Sequence, residues 1–250
     1  MINIICVKIG TKYSEEYVNN LFRACQKNTS IPFQMYCYTD DPKGIDTDIN
    51  IIPFIDNEID VIVHNKLFLF SDYVSSFLKF DNCVFFDLDL IIKHNIDNIV
   101  TIQNNDITII HAQWRDSKHF KKAEGFPHFY HTYNSSCITW KKGIPEHIWL
   151  FYKNDIEKFQ TQYHVGMDAF LFYEIKEKGC VETFPLGLFH TFMFKFDVRL
   201  RITDENKTKE HYDQLLEFNN SLTSKFPVLL LNGPTTYQDY ESLVKQFYID

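Results

Sequence analysis

Two carboxylates, Asp87 and Asp89, interrupt the apolar run VFFDLDLII from Val84 to Ile92. A continuous run rich in Val, Ile and Phe reads as a strand buried on both faces, as in a parallel sheet covered by helices. Two ionised groups placed there repel each other and lose hydration, so they require a compensating partner, and a cation would serve. Strand alternation puts both carboxylates on one face if the strand stays regular through them. Hard oxygen donors of this kind suit Mg²⁺ or Mn²⁺, with a diphosphate completing the coordination shell. Acids at this spacing also arise by chance in many loops, so the surrounding elements have to decide.

Other reactive side chains narrow the chemistry. The six cysteines, Cys6, Cys25, Cys37, Cys83, Cys137 and Cys180, form no CxxC pair and show no zinc-type spacing. They read as buried, reduced thiols of a cytoplasmic protein. The ten histidines include His128 and His131 in HFYHTY. With no Cys or Asp at matching spacing for a tetrahedral site, these two read as aromatic loop residues near an acceptor groove. The loop from Trp114 to Tyr133 is rich in aromatic residues, whose faces suit sugar rings, whereas the runs around Phe184 to Phe196 and the final YESLVKQFY read as packing.

A net charge of -8 over 250 residues argues against a nucleic-acid partner, whose phosphates need a basic face. No stretch is dominated by Pro, Gly or Ser, no charge block divides the chain and no repeat recurs, so a single domain spanning 1-250 is expected. The opening MINIICVKIG lacks the basic start and cleavage site of a secretory signal and reads as a first strand. Nothing approaches the roughly 18 apolar residues of a membrane-spanning helix. The expected location is cytoplasmic, with peripheral membrane attachment left open.

The elements that must position the acids alternate as in an α/β sandwich. INIICVKI is a strand, and SEEYVNNLFRACQKN a helix with Ser14 as N-cap and Tyr17, Val18, Leu21, Phe22 and Cys25 along one side. FQMYCYTD is the second strand and also ends in acid, at Asp40. A short apolar run at Ile49 to Ile55 leads to the helical pattern NKLFLFSDYVSSFLKF, which delivers the chain into CVFFDLDLII. DITIIHA is a further strand, and PEHIWLFYKNDIEKFQ and GMDAFLFYEIKEKG are two helices, the second closed by Gly179 in a left-handed cap. In open α/β sheets ligands bind at the carboxyl ends of strands, which favours a functional reading of the acids.

The stretches CVKIGTKYSEEYV, CYTDDPKGI, NKLFLF, FFDLDLII, YNSSCITW, GMDAF and VLLLNGPTTY, in this order, carry a resemblance over most of the chain. The sequence resembles nucleotide-sugar glycosyltransferases of the GT-A fold, in particular small bacterial and viral members distantly like glycosyltransferase family 8. The resemblance implies a Rossmann-like α/β/α sandwich with a mostly parallel mixed sheet, a nucleotide-binding half over about 1-110 and an acceptor-binding half over about 111-250. It implies a UDP- or GDP-sugar donor, a glycan or other hydroxyl acceptor, and Mn²⁺ or Mg²⁺. Asp89 would then be the direct metal ligand and Asp87 a contact to ribose and metal. Val7 and Lys8 would line the nucleotide site, Lys8 and Lys66 would contact the diphosphate, and Asp40 would touch base or ribose. Solvated lysines and an ordinary turn in TDDPKG explain Lys8, Lys66 and Asp40 equally well.

By the same resemblance Asn134, with Ser135 and Ser136 beside it, holds donor sugar or acceptor hydroxyls, and Asp168 sits at a helix start beside the sugar. There Asp168 would orient hydroxyls, act as a base or stabilise positive charge at the sugar C1. The alternatives are a loop-to-strand turn for Asn134 and a helix N-terminal acid for Asp168. The family carries a metal-binding His where this chain has Asn232, whose amide oxygen is a weaker ligand.

Two further readings stay open. In haloacid dehalogenase phosphatases the first acid of such a pair is a nucleophile and the second a general acid, with Thr or Val two positions on, where Ile91 stands here. That class opens its domain with this strand, and no matching downstream Ser/Thr and Lys set is evident. The other reading is a degenerate transferase fold that binds a nucleotide or glycan without turnover, which Asn232 favours and the retained acids oppose.

Overall fold

The computed structural model describes residues 1–103, 106–113, 131–164, 166–191, 221 and 224–230. Strands β1 (Ile2–Lys8), β2 (Phe33–Thr39), β3 (Asn50–Pro53), β4 (Asn82–Phe86), β6 (Ile107–His111), β7 (Tyr133–Lys141) and β8 (Val181–Thr183) form a seven-stranded sheet in the order β3-β2-β1-β4-β7-β6-β8. Every pair is parallel except those made by β7, which runs against both β4 and β6. A smaller sheet joins β5 (Leu90–Ile92), β10 (Val228–Leu230) and β9 (Phe189–Thr191), with β10 in the middle.

The apolar strands are buried on both sides because the large sheet is covered on both sides. Along β1, Ile5 faces one core cluster while Ile2, Ile4 and Cys6 face the other, and along β4 Cys83 and Phe85 alternate in the same way with Val84 and Phe86. Helices α1 (Glu15–Asn28) and α3 (Asp97–Val100) and the small sheet pack over the second cluster. The helical segments Ile62–Phe70 and α2 (Asp72–Phe77), with α4 (Glu146–Lys153), α5 (Ile156–Gln162) and α6 (Met167–Phe170), pack over the first. Burying each of these Val, Leu, Ile or Phe side chains contributes about 1.5–3 kcal/mol. The architecture is the α/β/α sandwich with a mostly parallel mixed sheet that the sequence led us to expect.

Local expectations needed correction. The run VFFDLDLII is not one strand: β4 stops at Phe86, the chain turns through Asp87, Leu88 and Asp89, and β5 leaves for the small sheet. The helical pattern from Asn65 to Phe80 splits at Ser71, where tight 3-10 winding ends and the Ser71 hydroxyl accepts from the Val74 N–H to start α2 (Asp72–Phe77). PEHIWLFYKNDIEKFQ is two helices separated at Asn154 and Asp155. Ser14 stands at the α1 N-cap, but its backbone carbonyl, not its hydroxyl, accepts the bond, from Tyr17 N–H. Gly179 does close its segment in the left-handed conformation, at φ 71°. Among the described residues no helix is long and apolar enough to cross a membrane.

Candidate active site

The sheet order creates a crevice, because β1 is followed in space by β2 on one side and β4 on the other. Such reversals in strand order are where open α/β sheets bind ligands. Val7 and Lys8 end β1, in register with Tyr38 and Thr39 of β2, and Asp40 follows directly. The Gly10 N–H donates to the Asp40 carboxylate at 2.9 Å, and Lys8 Nζ donates to the Asp41 carbonyl at 3.2 Å. Val7 itself packs against the core. These bonds tie together the two loops that flank the crevice, so Asp40 has a structural task at this edge.

Because β7 runs antiparallel to β4, its first residues reach the same edge as the last residues of β4. Phe86 lies opposite Cys137, and the Asp87 N–H donates to the Ser136 carbonyl at 2.9 Å. The pairing of β6 with β7 slips between Ile109 and Ile110, from Ile138 to Asn134, so Ser135, Ser136 and Cys137 form an irregularity that turns this stretch toward the crevice. The Asn134 side-chain oxygen accepts from the Ser136 N–H at 3.0 Å. The buried Asn134 thereby shapes the bulge locally, as an Asx turn does.

Lys66 reaches this edge from the 3-10 segment. Its ammonium lies 2.7 Å from Asp87 Oδ2 and 3.4 Å from the Ser135 hydroxyl, and 5.2 Å from the centroid of Phe85. The Ser135 N–H donates to Asp168 Oδ1 at 2.9 Å, placing Asp168 at the start of α6 next to the same stretch of β7. One continuous set of contacts therefore runs Asp87, Lys66, Ser135, Asp168 across four sequence-distant elements.

Asp89 is held differently. Its Oδ2 accepts from the Tyr13 hydroxyl at 2.8 Å. Burial, then the neighbouring Asp87 charge, push its carboxyl up to about 6, while Tyr13, Lys66 and Lys12 oppose the shift. Negative charge is thus incompletely compensated at Asp89, and Asp87 and Asp89 offer only oxygen donors. A divalent cation of the Mg²⁺ or Mn²⁺ type fits this donor set, with remaining positions open to phosphate oxygens and water.

Sequence reasoning named Asp87, Asp89, Lys66, Ser135 and Asp168, and the fold brings them to one edge together with Lys8 and Asp40. It missed Tyr13 and Lys12, whose only signal was their place in the loop after β1. It also missed His64, buried behind the site. The Tyr163 carbonyl can only accept, so His64 Nε2 carries the proton at 2.9 Å from it, and Nδ1 accepts from the Tyr152 hydroxyl at 2.7 Å. Burial lowers the His64 pKa from its ordinary value. His131 is buried with Nδ1 3.1 Å from the Tyr133 carbonyl. Asn232, His128 and the loop residues from Trp114 to Tyr130 lie outside the described residues.

No family model matches the chain, and no curated protein sequence is significantly similar to it. Its fold does match solved structures. The glycosyltransferase GlyE of Streptococcus pneumoniae TIGR4 superimposes with a TM-score of 0.58 at 11% identity, over 94% of this chain and 56% of that one. Its apo form gives 0.55 at 10% identity, over 93% and 55%. An active-site mutant of LgtC gives 0.53 at 11% identity, over 98% of this chain and 96% of LgtC. The chain spans about half the length of GlyE and nearly all of LgtC. At these identities the likeness is one of fold, and that fold is GT-A.

Proposed function

We propose that this chain, which shares its fold with GlyE and LgtC, is a metal-dependent glycosyltransferase moving a sugar from a nucleotide-sugar donor to a hydroxyl acceptor. The observation that carries the reading is the convergence of Asp87, Asp89, Lys66, Ser135 and Asp168 at the carboxyl edge of the sheet. Residues of 1-110 supply the nucleotide side, with Val7, Lys8 and Asp40 at the ends of β1 and β2, and residues of 111-250 supply the acceptor side.

Asp87 and Asp89 hold Mn²⁺ or Mg²⁺, which when bound neutralises negative charge that develops on the diphosphate leaving group. Lys66 adds a fixed positive charge beside the phosphates, and Asp87 keeps its ammonium aimed into the crevice. Tyr13 orients Asp89 through its hydroxyl. Asp168, anchored by the Ser135 N–H, presents its carboxylate to sugar or acceptor hydroxyls, and Asn134 holds the bulge that supports both. Each group is positioned before substrate arrives, which avoids reorganisation during the reaction. Asn232 is proposed as a neutral oxygen ligand, and a cytoplasmic site of action accords with a nucleotide-sugar donor.

The haloacid dehalogenase alternative is disfavoured by the shared fold and by the order of elements, in which β4 follows three strands instead of opening the domain. A panel of nucleoside diphosphates and nucleotide-sugars, each with and without Mn²⁺, tests the reading by thermal unfolding. Metal-dependent stabilisation by UDP or GDP, followed by donor turnover, is expected, because a ligand that binds the folded state raises its stability by mass action. Hydrolysis of simple phosphate esters without any nucleotide effect would overturn it, and binding without turnover would indicate the degenerate reading.

A further inference from the structure

At the opposite edge of the large sheet, three side chains from distant parts of the sequence meet. Asp106 precedes β6, His147 lies in the first turn of α4 and Cys180 precedes β8, and their donor atoms all fall within 4.8 Å of one another. This edge is remote from the candidate active site: β6 begins at Ile107 opposite Trp140, and Trp140 lies opposite Cys83 near the start of β4. The sequence shows no zinc-type spacing among the cysteines and none to match His128 and His131, and the fold brings together three residues that no spacing in the chain connects.

The orientation of the imidazole is informative. His147 Nδ1 lies 3.1 Å from the Ile144 carbonyl, which can only accept, so Nδ1 carries a proton. Nε2 then faces the Asp106 carboxylate at 3.3 Å. In the neutral ring this sets a lone pair against a carboxylate, which is favourable only if a proton or a metal cation lies between them. A backbone carbonyl on the far nitrogen is also how metal-ligating histidines are usually oriented. Cys180 supplies a soft third donor: its Sγ lies 3.4 Å from the Lys178 carbonyl, and its backbone carbonyl accepts from Ile107 N–H at 3.1 Å, which fixes it beside Asp106.

We propose that Asp106, His147 and Cys180 form a second metal site, for Zn²⁺, with water in the fourth position. The mixed O, N and S donor set favours Zn²⁺ over the hard cations suited to Asp87 and Asp89. Donors around tetrahedral Zn²⁺ lie about 3.3–3.8 Å apart, so the Asp106 and His147 atoms already fit and the thiol needs only a small side-chain movement. Binding displaces the thiol proton to solvent and leaves the thiolate on the metal. The ion would pin the lead-in to β6, the start of α4 and the lead-in to β8 to each other, away from the crevice at which Asp87 and Asp89 stand, and the water would leave one coordination position exchangeable.

Zn²⁺ alone and Co²⁺ alone, titrated into metal-free protein, test this. One equivalent of Zn²⁺ should bind with release of a proton, and Co²⁺ should give a thiolate-to-metal charge-transfer band in the near ultraviolet. The other five cysteines are buried, so the band would report Cys180. Cys180→Ser should abolish the band, and both Cys180→Ser and His147→Ala should weaken Zn²⁺ binding at least about tenfold, with metal-free unfolding unchanged. His147 is exposed, so its variant keeps the test open should the Cys180 variant fold poorly. A Co²⁺ spectrum without the thiolate band, or Zn²⁺ affinity unaltered in the His147 variant, would overturn the proposal.

Discussion

The Lys66 ammonium stands 2.7 Å from Asp87 Oδ2, with both side chains largely buried. Charge-assisted bonds of this length are roughly twice as strong as neutral ones, and removing one partner leaves the other charge poorly solvated. The pair links the 3-10 segment to the end of β4 and keeps a positive charge at the crevice.

Lys66→Ala should lower stability by about 1–3 kcal/mol and weaken nucleoside diphosphate binding, read by urea unfolding and calorimetry. A double-mutant cycle with Asp87→Asn isolates the pairwise part. A coupling energy near zero would mean that the contact adds nothing to the fold.

Asp89→Asn removes a carboxylate whose ionisation is opposed by burial and by Asp87. Metal-free thermal stability should stay level or rise, while metal-dependent nucleotide binding should be lost. Retention of native turnover with native metal dependence would exclude Asp89 as a ligand.

The structural contact of Asp168 can be separated from the chemical task proposed for it. Asn at this position can still accept from the Ser135 N–H, so Asp168→Asn should change stability by under about 1 kcal/mol yet reduce turnover about 10²-fold or more. Asp168→Ala should also cost about 1–3 kcal/mol, because it leaves the Ser135 N–H without that acceptor. Equal turnover in the Asn and native proteins would remove Asp168 from the chemistry.

His64 gives a pH dependence. Its pKa is lowered in the folded protein, chiefly by burial. Below the unfolded value of about 6.5, the unfolded chain takes up a proton that the folded chain resists, so the contribution of this residue to stability falls as pH drops through that range. The Asp89 carboxyl, pushed up to about 6, stabilises the fold as pH falls through the same range, so the loss is read as a difference. Urea unfolding between pH 7.5 and 5 should show stability changing less favourably with falling pH in the native protein than in His64→Gln, which starts from a lower baseline. Identical slopes in the two proteins would mean that another group dominates.

The strands β1, β2 and β4 and helix α1 were legible in the chain because burial on both sheet faces leaves an apolar run, and burial of one helix side leaves a 3.6-residue period. The acids Asp87 and Asp89 stood out because charge in an apolar run needs a reason. The turn between them did not: the apolar residues after Asp89 continue the pattern of β4, although β5 joins a different sheet. Pattern records that a residue is buried, not which layer buries it.

Which side chains meet was decided by tertiary structure. Only the reversed direction of β7 carries Asn134, Ser135 and Ser136 to the edge where β4 ends, and only the placement of α6 sets Asp168 against Ser135. Strand direction depends on pairing with distant partners and leaves no local mark in residue type. Asp106, His147 and Cys180 illustrate the same limit at the other edge, since each is unremarkable in its own stretch and they become neighbours only when β6, α4 and β8 pack. The chain by itself specified its α/β layering and the unusual placement of two acids, through local periodicity and the cost of buried charge; assembling those acids with a lysine, a hydroxyl and a third carboxylate required long-range strand pairing.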